Sequence, residues 1–294
     1  MEMPVFTIRG KNHRERGVDY GVQCKELIQG VLERYIRFFN GGHTAVSWDE
    51  AKVISKEFLP FIRSYSPELL DELEGIAQGA DVEFDDLLTL NSRSEAMTLV
   101  RRPPSDKEEL DGCSSVAVLP DASANGHTIL AQNWDTYTWQ EFGTVILQIL
   151  RDDGPDLMIV TEAGQLARYG MNQAGIALGV NSLQKTYNPE VFGIPSVFIR
   201  RKFLEQDRYV DAVNQIFGAE SMLPMYYVAA YCGGDALQDV SGPLRVGKGS
   251  FKLRVCKLCA GGPDGESDDR AGAGGAGQAG AGTGAGAGRG DHPD

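Results

Sequence analysis

The stretch ELDGCSSVAV, residues 109–118, joins a charged segment to an apolar run through one glycine and one cysteine. The preceding RRPPSDKEELDG contains two adjacent prolines and no apolar period, which indicates an exposed linker. Five short apolar or alternating runs follow, each bounded by Gly, Asp, Asn or Pro, and they predict consecutive antiparallel strands. These runs are CSSVAVLP, HTILAQNWD, GTVILQIL, DLMIVTEAG and GIALGVNSL.

Helical patterns lie on both sides of these strands. After a predicted strand over Val5 to Arg9, apolar residues at helical spacing predict helices in the N-terminal third, and another helix follows the strands. The segment GMNQAG, residues 170–175, is interpreted as a hairpin turn. We therefore predict a layered α+β fold. The predicted helices cover 20–39, a segment from a capping box at Ser47 to a stop or kink at Pro60, 67–79, and 193–216.

Composition limits the classes of partner. With 42% hydrophobic residues among 294, the chain can bury a sizeable core, and its net charge of −13 argues against binding a nucleic-acid backbone. We see no secretory signal and no run of roughly eighteen apolar residues, so we expect a cytoplasmic protein that does not enter a membrane. From residue 247 the sequence turns into a Gly and Ala repeat that predicts disorder. The expected division is 1–112, 113–246 and 247–294.

Cys113 can become a nucleophile if the bond that joins it to Gly112 is cut. Its thiol would attack the Gly112 carbonyl, and water would resolve the resulting thioester. The freed α-amine, whose ordinary pKa is about 7.7 to 8.0, could then act as the base for the same residue's thiol. The alternative, which residue chemistry alone favours, is that Cys113 is a small buried apolar residue at the start of a strand.

Cys256 and Cys259 have the spacing of half a zinc site or of a redox pair. No second cysteine pair and no nearby histidine completes four ligands, so this alternative is the weaker one. The four histidines are scattered through turns and the tail, which leaves a Cys-His arrangement without an obvious base. We predict no metal site.

Several motifs together resemble one family. DGCSSVAVLP is followed by LAQNWD, TEAG and GMNQAGIALGVNSL, and preceded by RGVDYGVQ, PELLDELEGIAQGADV and LTLNSRSE. This combination, with GIPSVFIRRKFLE, is similar to the acyl-coenzyme A:isopenicillin N acyltransferase family of N-terminal nucleophile hydrolases. The likeness extends from about Gly10 to about Val228.

The resemblance implies a four-layer αββα sandwich, self-cleavage between Gly112 and Cys113, and acyl transfer through a thioester on Cys113. It places Asp135 at the family's active-site aspartate and Asn181 near the oxyanion. The alternatives are that Asp135 caps a turn and that Asn181 is a satisfied polar group at a strand end. Arg93 and Glu95 are expected to form a buried supporting pair beside the cleavage loop.

The resemblance ends near Ala229, so we expect a chain that is incomplete at its C-terminal end. The implied function is an N-terminal cysteine acyltransferase or amidohydrolase that takes acyl groups from an acyl-coenzyme A or a small amide and transfers them to an amine or to water. It implies two self-cleaved chains held as a heterodimer, and no metal or redox cofactor. The alternative is an inactive, truncated relative that acts as a binding protein or is unstable.

Overall fold

The computed structural model describes residues 3–99, 113–183 and 192–241, which contain both helices and strands. The predicted α+β class is confirmed. The helices are α1 (His13–Gln23), α2 (Lys25–Phe38), α3 (Trp48–Lys56), α4 (Leu59–Tyr65), α5 (Pro67–Ala80), α6 (Phe84–Leu99), α7 (Ser196–Leu204) and α8 (Tyr209–Phe217). The strands are β1 (Val5–Ile8), β2 (Ser114–Val118), β3 (Ile129–Asn133), β4 (Thr144–Ile149), β5 (Leu157–Glu162), β6 (Tyr169–Asn172), β7 (Ile176–Ser182), β8 (Met225–Tyr231) and β9 (Ala236–Ser241).

The N-terminal helices begin where their capping residues allow. Ser47 and Glu50 form the predicted capping box of α3: the Ser47 hydroxyl accepts from the Glu50 backbone at 3.3 Å, and the Glu50 carboxylate accepts from the Ser47 backbone at 2.8 Å. Pro67 opens α5 as predicted. The single helix predicted over 20–39 is instead two helices, because the backbone departs from helical geometry at Cys24.

Seven strands form one sheet in the order β1-β4-β5-β6-β7-β8-β9. β1 runs parallel to β4, and the other neighbours are antiparallel. The prediction of five consecutive antiparallel strands is corrected in two ways. Within the described residues β2 and β3 pair only with each other, and the segment interpreted as a turn at 170–175 contributes β6 before it turns at residues 173–175.

The two-stranded sheet of β2 and β3 packs on the larger sheet at β7 and β8. The contact is close at Gly179 of β7, where a Cβ atom would lie 2.8 Å from Oε1 of Gln132. On the opposite face of the large sheet, Asn172 of β6 donates to the backbone carbonyl of Leu204 in α7 at 2.9 Å. The sheet therefore has helices on one face and β2 and β3 on the other.

The chain departs from prediction after Ser196. The helix predicted over 193–216 is two helices, α7 and α8, and the unpredicted strands β8 and β9 add to the edge of β7. The predicted linker 101–112, the boundary residue Gly112 and the tail 247–294 lie outside the described residues.

Candidate active site

Cys113 lies immediately before β2 and is half-buried. Side chains alternate along a strand, so Cys113 and Ser115 share the face of β2 that points toward the large sheet. Burial raises the pKa of the nearby Tyr169, the cations of Arg168 and Arg200 lower it, and Cys113 raises it. Tyr169 is therefore within electrostatic range of Cys113 and of both arginines.

Asn181 lies in β7 and meets the strand pair that begins with Cys113. Its Oδ1 accepts from the Ser115 hydroxyl at 2.9 Å and from Nε2 of Gln132 at 3.1 Å. These two donors fix which end of the amide is the acceptor, so the Nδ2 end is oriented away from them. The structure thus brings Asn181 against β2, the strand that directly follows Cys113.

Gln132 has a second role, because it replaces a missing strand partner of β7. β6 pairs with β7 only at Ala177 and Leu178, so Val180 has no strand neighbour on that edge within the described part of the chain. The Gln132 side chain accepts from the Val180 backbone nitrogen and donates to its carbonyl, both at 2.7 Å. The sequence pattern did not identify Gln132, although its alternation in LAQNW places it on the inner face of β3.

Asp135 is exposed and lies two residues beyond β3. The ladder pairs Ser114 with Asn133, so the chain after β3 runs back toward Cys113. The Asp135 carboxylate accepts from Nδ2 of Asn133 at 2.8 Å.

Arg93 and Glu95 are both buried in α6, but their partners differ from the predicted pair. Nη2 of Arg93 binds Oε2 of Glu162 at 2.7 Å, while Oε1 of Glu95 accepts from the backbone nitrogen of Ser196 at 2.8 Å. The prediction of an Arg93–Glu95 pair is corrected accordingly. The side chains of i and i+2 point to different sides of a helix, which explains why they do not meet.

Glu162, at the end of β5, is the centre of a buried polar network that sequence analysis missed. It accepts from Arg93 at 2.7 Å, Arg168 at 2.8 Å, Tyr35 at 2.8 Å and Gln165 at 2.7 Å. Burial raises the pKa of Glu162, but the two arginines outweigh it and hold the pKa below its ordinary value. The available signal was a glutamate at the end of an apolar strand in TEAG.

The loop from β5 to β6 carries Arg168 to the candidate site. Asn91 of α6 holds this loop by donating to the Gly164 carbonyl at 2.8 Å and accepting from the Leu166 nitrogen at 2.9 Å. The guanidinium of Arg168 then stacks 4.0 Å from the ring centre of Trp134, which directly follows β3. The network under β5 is thereby linked to the strand pair that carries Cys113.

Two curated proteins are similar to this chain. It is 28% identical over 215 residues to the acyl-coenzyme A:6-aminopenicillanic-acid-acyltransferase 40 kDa form of Emericella nidulans, covering 71% of this chain and 57% of that protein. It is 27% identical over 199 residues to the beta-alanyl-dopamine/carcinine hydrolase of Drosophila melanogaster, covering 62% and 49%. The predicted resemblance to the penicillin acyltransferase family is confirmed. No family model matches the chain.

The chain spans about half the length of these two penicillin acyltransferase-like relatives. The relatives are named as an acyltransferase and a hydrolase, which agrees with the class of chemistry that the motifs imply. Within the described residues, no helix is both long and apolar enough to cross a membrane.

A cluster of His13, Glu72 and Glu205 has metal-ligand chemistry, with its ligand atoms within 4.8 Å of one another. Arg201 already donates to both carboxylates, at 2.9 Å to Glu72 and 3.0 Å to Glu205. A guanidinium thus takes the place that a cation would need, and these residues do not fit a metal ion. The pair Cys256 and Cys259 lies outside the described residues.

Proposed function

We propose that this chain is a self-processing acyltransferase or amidohydrolase whose nucleophile is Cys113. The observation that carries the proposal is the contact of Asn181 with Ser115 and Gln132, which sets an amide donor against the strand that Cys113 opens. The similarity to an acyltransferase and an amide hydrolase supports the same chemistry.

The first proposed step is cleavage of the chain before Cys113. The Cys113 sulfur attacks the carbonyl carbon of Gly112, and the C–N bond breaks as the nitrogen takes up the proton of the thiol. Water then hydrolyses the thioester, which releases the Gly112 carboxylate and restores the thiol. The products are an α-amine on Cys113 and two chains, 1–112 and 113–294, that stay together as a heterodimer.

In the second proposed step the new α-amine takes the thiol proton, and the thiolate attacks the carbonyl of an acyl-coenzyme A or a small amide. Nδ2 of Asn181 donates to the oxyanion of the tetrahedral intermediate. The leaving thiol or amine collects the proton from the ammonium group. Water or an acceptor amine then attacks the thioester, and Cys113 is regenerated without a metal or redox cofactor.

Asp135 is proposed to act on the new terminus. A carboxylate near the α-ammonium group favours its charged form and orients it. Asp135 follows the strand that pairs with β2, so it lies on the side of the ladder where the chain passes through Cys113.

The proposed architecture is the four-layer αββα sandwich. The packing of β2 and β3 on β7 and β8 supports two sheet layers, and α7 beneath β6 and β7 supports one helical layer. A helical layer over β2 and β3 is part of the proposal.

The test of self-processing is an intact-mass spectrum of the purified protein beside a Cys113→Ala variant, with Cys232→Ala as the matched control because Cys232 is exposed. Wild type and the Cys232 variant are expected to give two chains that separate between residues 112 and 113, while the Cys113 variant stays whole. A single intact wild-type chain would overturn self-processing.

A second candidate is an inactive relative that binds another protein. The observation that favours it is the open apolar surface of β5 and β6, where the cross-strand partners Met158 and Met171 are 48% and 50% exposed. An uncleaved chain without turnover of acyl thioesters or amides would favour this candidate over the enzyme.

A further inference from the structure

Arg200 is a buried cation with no carboxylate bound to it among the residues that the structure describes. It is 8% exposed; its Nη2 donates to the Ser196 hydroxyl at 3.2 Å, and its Nε is buried without a hydrogen bond. Burial lowers the pKa of Arg200, which agrees with the lack of a direct counter-ion. Arginine stays protonated in proteins, so a buried positive charge is left without a bound anion.

The neighbouring Arg201 shows what a structural arginine looks like in this fold. Its guanidinium binds two buried carboxylates, Glu72 and Glu205, at 2.9 and 3.0 Å. The same helix therefore supplies an arginine that binds two carboxylates and, one residue earlier, an arginine that binds no carboxylate among the described residues. The two ion pairs of Arg201 explain why an arginine is buried at that position of α7. Among the described residues, no such ion pair explains the burial of Arg200.

Arg168 is a second cation with spare donor capacity. It binds Glu162 at 2.8 Å, but Glu162 also binds Arg93 at 2.7 Å, and the buried Nε of Arg168 has no hydrogen-bond partner in the described ranges. Arg168 is close enough to Arg200 to affect its pKa. The two arginines therefore repel each other unless an anion lies between them.

The local charges do not balance. Arg93, Arg168 and Arg200 are three cations, and the buried carboxylates near them are Glu162 and Glu95. Oε1 of Glu95 accepts from the backbone nitrogen of Ser196 and makes no ion pair with the arginines. Among the residues that the structure describes, one positive charge is in excess in a region where charge is costly to leave unpaired.

This excess charge lies beside the proposed nucleophile. Tyr169 is adjacent to Arg168 in the chain, and its pKa responds to Arg168, Arg200 and Cys113. The guanidinium of Arg168 lies on the ring face of Trp134, and the ring centres of Trp134 and Tyr169 are 6.1 Å apart. Trp134 therefore contacts both Arg168 and Tyr169. Because Trp134 follows Asn133, the cross-strand partner of Ser114, Arg168 lies at the end of the ladder where the chain passes through Cys113, and an anion held by Arg168 would lie on that side.

We propose that Arg168 and Arg200 form a binding subsite for a carboxylate group of the substrate, beside Cys113. The two unpaired Nε–H groups supply charge-assisted donors to the carboxylate oxygens. This inference rests on the proposed acyl-transfer function and narrows its substrate class to amides or acceptor amines that carry a carboxylate, such as N-acyl amino acids.

The first test compares two substrates that differ only in this charge. Hydrolysis of N-hexanoylglycine and of N-hexanoylglycinamide is followed by release of the amine. We expect kcat/KM to favour the carboxylate by roughly tenfold or more through KM, since hydrogen bonds to charged groups are the stronger ones. Equal kcat/KM values for both substrates would overturn the subsite and leave the acyl-transfer function standing.

Two variants locate the effect. Arg200→Gln is expected to remove the preference for N-hexanoylglycine over N-hexanoylglycinamide, because KM should rise for N-hexanoylglycine alone. Arg208→Gln is the matched control, because the Arg208 side chain is 71% exposed, and it should leave the preference unchanged. Loss of the preference in both variants would contradict a role specific to Arg200.

A binding measurement separates the subsite from the proposed function. Calorimetric titration with octanoate and with octanol, its uncharged counterpart, needs no turnover. Tighter binding of octanoate that is lost in Arg200→Gln supports the subsite even if neither amide is hydrolysed, in which case only the enzyme function fails. Equal binding of octanoate and octanol would overturn the inference.

Discussion

Among single residues, Asn181 is the candidate-site side chain that the strand pair of β2 and β3 holds in place. Its acceptor oxygen is held by Ser115 and Gln132, one from each strand of the small sheet. A preorganised donor costs no reorientation when the oxyanion forms, which is why such amides lower reaction barriers.

We therefore predict that Asn181→Ala lowers kcat for acyl transfer by about 100- to 1,000-fold, the typical effect of removing one oxyanion donor. KM should change little, because the interaction forms only in the transition state. The measurement is steady-state kinetics on fully processed protein, with the exposed Asn125→Ala as the control. If KM rises while kcat is unchanged, Asn181 binds the ground state and is not an oxyanion donor.

The residues that sequence could predict are those inside local motifs. Cys113 was singled out because it follows a predicted linker and precedes a predicted strand, and the family resemblance placed Asn181 near the oxyanion. The partners of these residues come from distant segments: Gln132 reaches Val180, and Arg93 reaches Glu162. Local spacing carries no information on such contacts, and for that reason the Arg93–Glu95 pairing was wrong.

At the scale of elements, α1 and α5 pack closely through facing glycines. A Cβ on Gly75 would lie 2.3 Å from the Arg14 carbonyl oxygen, and one on Gly17 would lie 2.1 Å from the Glu72 carbonyl oxygen. No backbone carbonyl can turn away as a side chain could. The two helices can therefore approach this closely only with glycine at these positions.

We predict that Gly75→Ala destabilises the protein by about 1–3 kcal/mol, the usual range for overpacking a core. The sign of the change in the free energy of unfolding is informative, because Gly→Ala inside a helix otherwise stabilises a protein by up to about 1 kcal/mol. Urea unfolding followed by circular dichroism measures the change. Gly41→Ala serves as the control, since a Cβ there would approach only the His43 side chain, at 3.3 Å. A stabilised Gly75 variant would contradict the close packing.

Element boundaries were predictable where a capping signal exists and not elsewhere. Ser47 and Pro67 marked the starts of α3 and α5 correctly. The break at Cys24 has no glycine or proline to announce it, so two helices were predicted as one. β6 was missed because it is four residues long and contains Gly170, which favours a turn in sequence-based reasoning.

At the scale of the whole molecule, Glu205 connects three parts of the chain. It ends α7, binds Arg201 within that helix at 3.0 Å, and accepts from His13 of α1 at 3.0 Å. Its backbone carbonyl accepts from Arg151, which follows β4. The helical part of residues 3–99 and the sheet are thereby held together at one buried carboxylate.

The charged form of Glu205 should make the stability of the whole fold depend on pH. Burial alone would raise the pKa of Glu205, but Arg201, His13 and Arg151 outweigh it and lower the pKa to about 2. A carboxyl whose pKa is lower in the folded state stabilises the fold above its unfolded pKa, about 4.3, and loses that contribution as the pH falls toward 2.

We predict that Glu205→Gln destabilises the protein at pH 7 by on the order of 3 kcal/mol and has a much smaller effect at pH 2.5, where the wild-type carboxyl is largely protonated in the unfolded chain. Urea midpoints at several pH values between 7 and 2.5 test this, with the exposed Glu57→Gln as a matched control. A wild-type and variant difference that stays constant across this pH range would show that Glu205 acts through packing, because only loss of a charge interaction makes the difference shrink with acid.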